Sequence, residues 1–323
     1  MRQTLGEALP EAARVKEAAG RFGANVGRVL VGKDQTVRLI FVALLCEGHI
    51  LIEDVPGVGK TLLARAAARS LGCSFRRIQC TPDLLPSDIM GLQYFNPKTS
   101  DFEFRPGPIV ANIVVIDEIN RAMPRTQSAL LECMQERQIT VDLATLPLPR
   151  PFLILATQNS IEQEGTFPLP EAQLDRFLLQ AGLGYPEVDE EGAILSRFRE
   201  ENPLDTLGPV LTGEELLALQ KVCRKVFVEP SVAEYLVSLV RATRGHADIR
   251  LGASPRASLG LHQAAQALAA LQGRDFVTPD DVKVLAVPVL AHRLLLKPEA
   301  RLRGRTEAGV IEELLESLPV PAD

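Results

Sequence analysis

Short apolar runs punctuate the first half of the chain, and apolar residues at helical spacing fill the second. Ala, Leu and Val at three- and four-residue spacing predict a helix over 7–31. Val31-Gly32-Lys33-Asp34 breaks it, and a second helix runs from about Gln35 to Cys46. After Gly48-His49 comes a strand at Ile50–Glu53. A Pro/Gly turn and a helix over Thr61–Leu71 follow it, with Gly72 placed to end that helix. Phe75–Cys80 reads as a further strand, and Thr81–Met90 as two proline-started helical turns. Gly91–Phe95 and Asp101–Arg105 flank the turn Asn96-Pro97-Lys98-Thr99-Ser100, a hairpin pattern. Gln138–Asp142 and Leu146–Arg150 form a second one. The β-branched runs Ile109–Ile116 and Phe152–Thr157 suit strands buried on both faces, and Pro124 starts a helix between them. Strands alternating with helices predict a parallel sheet flanked by helices.

Gly184-Tyr185-Pro186 marks a change of pattern, and the chain beyond it reads as helical. Thr212-x-x-Glu215 and Ser231-x-x-Glu234 have the form of capping boxes. Thr278-Pro279-Asp280-Asp281 offers an N-cap with Pro at the first helical position. The expected fold class is therefore α/β, with an α/β domain over 1–183 and an all-helical domain over 184–323. The last residues, Pro319 to Asp323, are expected to fray.

Composition narrows the function. A chain of 323 residues fits about two domains. With no Trp and 5% aromatic residues, the core must come from Leu, Val, Ile and Ala. A net charge of −6 argues against a broad nucleic-acid surface. The cysteines at 46, 73, 80, 133 and 223 include no C-x-x-C pair and read as buried free thiols. The N-terminus, Met1 to Ala13, lacks the apolar core of a secretory signal. No apolar run approaches the roughly 20 residues that span a bilayer, so a cytoplasmic protein is expected.

The chemistry is concentrated in Glu53-Asp54-Val55-Pro56-Gly57-Val58-Gly59-Lys60-Thr61-Leu62. A strand, a glycine turn and a helix carrying Gly59-Lys60-Thr61 make a phosphate-binding loop. Glycine lets backbone N–H groups approach phosphate oxygens, and the helix points its positive end at the same anion. Lys60 suits the β- and γ-phosphates of a nucleotide, and the Thr61 hydroxyl suits Mg²⁺. The usual pattern has glycine where this chain has Asp54. Asp117 and Glu118 end the apolar run Ile113-Val114-Val115-Ile116, which brings two carboxylates to the carboxyl edge of the sheet. Asp117 fits a metal carboxylate and Glu118 a group that polarises water. Asn159 follows the strand at 152–157, where an amide fits either a phosphate contact or a plain turn.

Taken in order, these motifs resemble the AAA+ ATPases and, within them, the MoxR family. The likeness also rests on Val115-Ile116-Asp117-Glu118-Ile119-Asn120-Arg121-Ala122, Ala156-Thr157-Gln158-Asn159, Leu169-Pro170-Glu171-Ala172-Gln173-Leu174-Asp175-Arg176-Phe177 and Gly252-Ala253-Ser254-Pro255-Arg256-Ala257. It covers about residues 30 to 300. The resemblance implies ATP held at Gly57, Val58, Gly59, Lys60, Thr61 and Leu62, with Mg²⁺ at Thr61 and Asp117. It implies Glu118 as the water-activating group, Asn159 as the first sensor and Arg256 as the second sensor in a helical lid. It implies Arg176 as an arginine finger on ATP held by a neighbouring subunit. From residues alone, Arg176 fits an ion pair with Asp175 or Glu171 equally well, and Arg256 fits a solvated helix start. A homo-oligomeric ring, a hexamer, is implied as well. So is a chaperone-like role with a von Willebrand factor A domain partner and a client complex. The rival readings are a nucleic-acid-dependent motor and a metal-chelatase motor subunit. A nucleotide-gated scaffold without catalysis fits less well, because Glu118 is present.

Overall fold

The computed structural model of the chain describes residues 11–55, 57–141, 144–158, 165–199 and 202–321. Helices α1 (Glu11–Gly27) and α2 (Asp34–Leu45) precede strand β1 (Ile50–Glu53). Then come α3 (Lys60–Ser70), β2 (Phe75–Gln79), α4 (Pro86–Met90) and a hairpin of β3 (Gly91–Asn96) and β4 (Asp101–Pro106). β5 (Ile113–Asp117), α5 (Pro124–Glu136), a second hairpin of β6 (Gln138–Val141) and β7 (Ala144–Pro147), and β8 (Leu153–Gln158) follow. α6 (Glu171–Leu174) and β9 (Leu179–Ala181) complete this half. The second half holds α7 (Val188–Arg197), α8 (Gly213–Cys223), α9 (Pro230–Gly245), β10 (Ile249–Leu251), α10 (Pro255–Leu271) and α11 (Pro279–Leu290). It ends with β11 (Leu295–Leu296), α12 (Pro298–Leu302) and α13 (Glu307–Ser317).

The main sheet is five-stranded, in the order β2-β5-β8-β1-β9, and every pairing in it is parallel. Its central strands are apolar on both faces because a core covers each face. Ile50, Ile52, Ile113, Val115, Leu153 and Leu155 face one core with α1, α2 and α3. Leu51, Val114, Ile116, Ile154 and Ala156 face the other, with α5 and the β6–β7 hairpin. This is the two-residue alternation of a strand, read once on each side. The first core continues into the second half of the chain. Val15, Ala18, Phe22 and Val26 bury one stripe of α1, which packs on α3, α8 and α10.

Several expectations change. β9 takes the sheet edge beside β1, where the sequence reading has no strand. The 109–116 run is a strand only from Ile113. Ile109 to Ala111 form turns, with Ile109 and Ala111 buried all the same, so hydrophobicity there reports burial rather than conformation. Thr81–Met90 holds two proline-started turns as expected: the first is closed by the Leu84 N–H on the Thr81 carbonyl, and the second is the short helix α4. The second half is not all helical, since β10 and β11 pair antiparallel. Ser231 caps nothing: Pro230 takes the first helical position and Glu229 is the N-cap. Thr212 and Thr278 do form capping boxes, and Gly72 sits at φ 60° past the end of α3. The expected helical start at 7–10 and the end of the fraying tail lie outside the described residues. All five cysteines are free, and burial pushes the thiols of Cys80, Cys133 and Cys223 up to about 12. No described helix is long and apolar enough to cross a membrane.

His49, which leads into β1, carries a pH dependence. It is 4% exposed. Its Nδ1 accepts from the Ile154 N–H at 3.0 Å, and its Nε2 lies 3.0 Å from the Met134 carbonyl. That pair of bonds requires the neutral ring with its proton on Nε2. Burial holds its pKa down to about 4. The unfolded chain takes up this proton near its ordinary value and the folded chain does not. The stability contributed by the neutral ring is therefore present above the unfolded pKa and is lost as pH falls towards 4. The expected loss from His49 between pH 6.5 and pH 5 is about 2 kcal/mol. Urea midpoints at pH 7 and pH 5 check this, and the drop should be smaller in His49→Gln.

Candidate active site

The loop after β1 is shaped by its glycines. Gly57 and Gly59 adopt φ 88° and 95°, a left-handed region that side chains with a Cβ avoid. Gly59 is the N-cap of α3, whose first residue is Lys60. Lys60 Nζ donates to the carbonyls of Asp54 and Val55 at 2.9 and 3.1 Å, so the side chain lies back along its own loop.

Asp54, where the usual pattern has glycine, has a structural use. Its Oδ1 accepts from the Val55 N–H at 2.9 Å. Its Oδ2 accepts from the N–H groups of Leu183 and Gly184 at 2.5 and 2.8 Å. The carboxylate thus fastens the start of the loop to the chain leaving β9. Asp54→Ala is expected to cost about 1–3 kcal/mol, because three N–H groups lose their acceptor. Asp54→Asn keeps one acceptor oxygen and should cost less. Urea unfolding of the two variants checks the order.

Asp117 ends β5 and is 7% exposed. Its Oδ2 lies 3.5 Å from the Thr61 hydroxyl and accepts from Arg77 Nε at 2.6 Å. Its Oδ1 accepts from the Thr157 hydroxyl at 3.3 Å. Glu118 is left-handed, at φ 56° and ψ 52°, a conformation that costs a non-glycine residue and clusters at functional sites. Its N–H donates to Thr157 Oγ1, and its carboxylate accepts from Gln79 Nε2 at 3.1 Å and Arg121 at 3.0 Å. Gly57, Gly59, Lys60, Thr61, Leu62, Asp117 and Glu118 line one cavity of about 320 Å³ with Arg77, Gln79 and Thr157. Val58 instead packs its side chain against the apolar core.

Arg77, Gln79 and Thr157 have no site role in the sequence reading. Alternate polar positions on β2 were the available signal, but only the pairing of β2 with β5, with Gln79 opposite Asp117, brings them to the carboxylates. The donor set fits Mg²⁺. A hydroxyl and a carboxylate are hard oxygen ligands, and Mg²⁺ takes one or two such groups together with phosphate oxygens. Among the described residues no cluster of three or more His, Cys, Asp or Glu could hold a metal unaided.

Arg176 and Arg256 do not line this cavity. Arg176 follows α6, is half-buried and pairs with neither Glu171 nor Asp175. Among the described residues its side chain has no hydrogen bond or ion pair. The Asp175 carboxylate goes to Ser254 and Arg293 instead. Arg256 is exposed in the first turn of α10, and its N–H donates to Ser254 Oγ at 3.1 Å. Asn159 lies outside the described residues.

Residues 49–179 match the family described as "ATPase family associated with various cellular activities (AAA)", and residues 241–314 match the "AAA lid domain". The Bacillus subtilis protein YeaC is 50% identical over 302 residues, covering 94% of each chain. Chaperone MoxR1 of Mycobacterium tuberculosis is 45% identical over 306 residues, covering 92% of this chain and 81% of the relative. A Cytophaga hutchinsonii protein, crystallised as a candidate ATPase, superposes with a TM-score of 0.91 at 37% identity, covering 97% of each chain.

Proposed function

The chain belongs to the MoxR family of AAA+ ATPases, and from that membership we propose that it is a magnesium-dependent, ring-forming remodeller of client protein complexes. It is an ATPase, and it binds nucleotide. The observation that carries the finer reading is the convergence of Lys60, Thr61, Asp117 and Glu118 on one cavity from separate elements of the sheet.

The proposed roles follow from that geometry. Backbone N–H groups of Gly57, Val58 and Gly59 and the start of α3 receive the phosphates, with Leu62 on the cavity wall. Lys60 exchanges its two loop carbonyls for phosphate oxygens. Thr61 and Asp117 would hold Mg²⁺, which supplies charge neutralisation at the phosphates. Glu118, turned outward by its left-handed backbone and steadied by Gln79 and Arg121, takes the proton of the attacking water. Asn159 would orient that water. Arg256 would read the nucleotide of its own subunit as the lid closes about the junction at Gly184, the boundary we assign between the two domains. Arg176 lies outside its own cavity and has no side-chain partner among the described residues, which supports the reading that it serves a neighbour's nucleotide in a ring, read as a hexamer.

The name of the mycobacterial relative supports a chaperone-like role. A von Willebrand factor A domain partner and a client complex remain part of the proposal. Phe95 and Phe102 are exposed opposite each other on one face of the β3–β4 hairpin, with ring centroids 5.5 Å apart, and offer an apolar contact of the kind that meets a client, while Leu92 and Tyr94 are exposed on the other face. The test is ATP hydrolysis measured over a range of protein concentrations, with and without chelator. A rate per subunit that rises with concentration and vanishes without divalent metal is expected. A flat, chelator-insensitive rate would overturn the ring and the metal.

A further inference from the structure

Arg176 is flanked in the chain by two groups that the second half of the molecule holds. Before it, Asp175 Oδ2 accepts from the Ser254 hydroxyl at 2.9 Å, and Asp175 Oδ1 lies 3.5 Å from Arg293 Nε. After it, the Phe177 carbonyl accepts from Arg293 Nη2 at 2.6 Å and lies 3.0 Å from His292 Nε2. Arg293 is 5% exposed. It packs close to α10 at Gly260, where an added Cβ would lie 3.4 Å from its Nη1.

The Ser254 hydroxyl has two jobs. It is the N-cap of α10 and accepts from the Arg256 N–H at 3.1 Å while donating to Asp175. A hydroxyl can do both at once. One oxygen therefore stands between the backbone of Arg256 and the carboxylate next to Arg176. Stability alone is a poor reason for this arrangement. Arg293 Nη1 has no hydrogen-bond partner among the described residues, and burying an imperfectly satisfied charge is generally no better than packing an apolar side chain. What the network does supply is a fixed relation between two segments far apart in sequence.

We propose that Asp175, Ser254 and Arg293 form a latch that fixes the backbone of Arg176 to helix α10, so that the finger offered to a neighbouring subunit moves with the helix that carries Arg256. This rests on the reading that Arg176 acts on the neighbour's nucleotide. These three are positioning residues: none of them lines the nucleotide cavity. The consequence is directional. The nucleotide state of one subunit, sensed through Arg256, sets the placement of its finger and so the rate in the next subunit. Placement errors of about 1 Å can cost about a hundredfold in rate, so a loosened latch is measurable.

The test uses mixtures of full-length chains. Glu118→Gln subunits keep their finger but do not turn over. Arg176→Ala subunits keep their own site but lack a finger. Hydrolysis by the mixture above the sum of the separate rates reports fingers donated by the Glu118→Gln subunits. Adding Asp175→Ala or Ser254→Val to the donor should cut that excess roughly tenfold. Ser254→Thr, which keeps the hydroxyl, should preserve it. Asp175→Ala placed in the Arg176→Ala subunits should leave the excess within about twofold, because those subunits have no finger to position. This asymmetry between donor and acceptor is something a merely destabilised fold would not produce. Melting curves and labelled-ADP binding of each chain check that the donors remain folded, and Ser254→Val serves if Asp175→Ala does not fold. Full excess with both altered donors would overturn the latch. No excess even with the unaltered donor would overturn the reading of Arg176 on which the latch rests, and the latch with it.

Discussion

Glu118→Gln will bind ATP as the unaltered chain does and hydrolyse it about 10²–10⁴-fold more slowly, the range by which a positioned general base accelerates a reaction. The amide has nearly the shape of the carboxylate. It can still accept from Gln79 and lie beside Arg121, so the loop should keep its left-handed turn. What it lacks is an oxygen basic enough to take a proton from water. Its melting temperature should stay close to that of the parent, because the Glu118–Arg121 pair is partly solvated and such pairs contribute little. Single-turnover phosphate release and labelled-nucleotide binding, measured side by side, separate the two effects. Hydrolysis at the parental rate would remove Glu118 from the reaction.

Arg176→Ala is the second large effect. The expected loss is about 10³-fold or more in turnover, the range in which an arginine finger acts on a transferring phosphoryl group. Nucleotide affinity should be nearly unchanged, since Arg176 does not line the cavity of its own chain. Stability should also hold. Among the described residues no carboxylate loses a partner, because Asp175 is already bound by Ser254 and Arg293. Gel filtration should show the same assembly, and initial rates should fall at every protein concentration. A variant that hydrolyses normally would make each chain self-sufficient.

Which parts of the site the sequence disclosed follows from distance along the chain. The loop from Asp54 to Thr61 is contiguous, so its glycines, lysine and hydroxyl can be read directly. Asp117 and Glu118 are legible because an apolar run delivers them. Arg77 and Gln79 are not, because nothing in a linear sequence states that β2 lies beside β5. The latch joins Asp175 to residues 254 and 293, and no local pattern marks such a contact. β9 escaped notice for a different reason: with three residues between Leu178 and Gly182 it is too short to show a period. Ile109 to Ala111 misled because a buried turn is as apolar as a buried strand. Ser231 misled because Pro230, with its fixed φ, claims the first helical position.

The strand order also governs how the molecule comes into being. β1 leaves the ribosome early, yet its two neighbours in the sheet are β8 and β9, pairing Ile50 with Leu155 and with Leu179. Until those residues have been made, the nucleotide loop hangs from an unpaired strand. At ordinary synthesis rates that interval is on the order of ten seconds. Long-range parallel pairing of this kind also folds slowly. The nascent chain therefore passes through a period in which β1 is unpaired and the nucleotide loop cannot yet be held in its sheet.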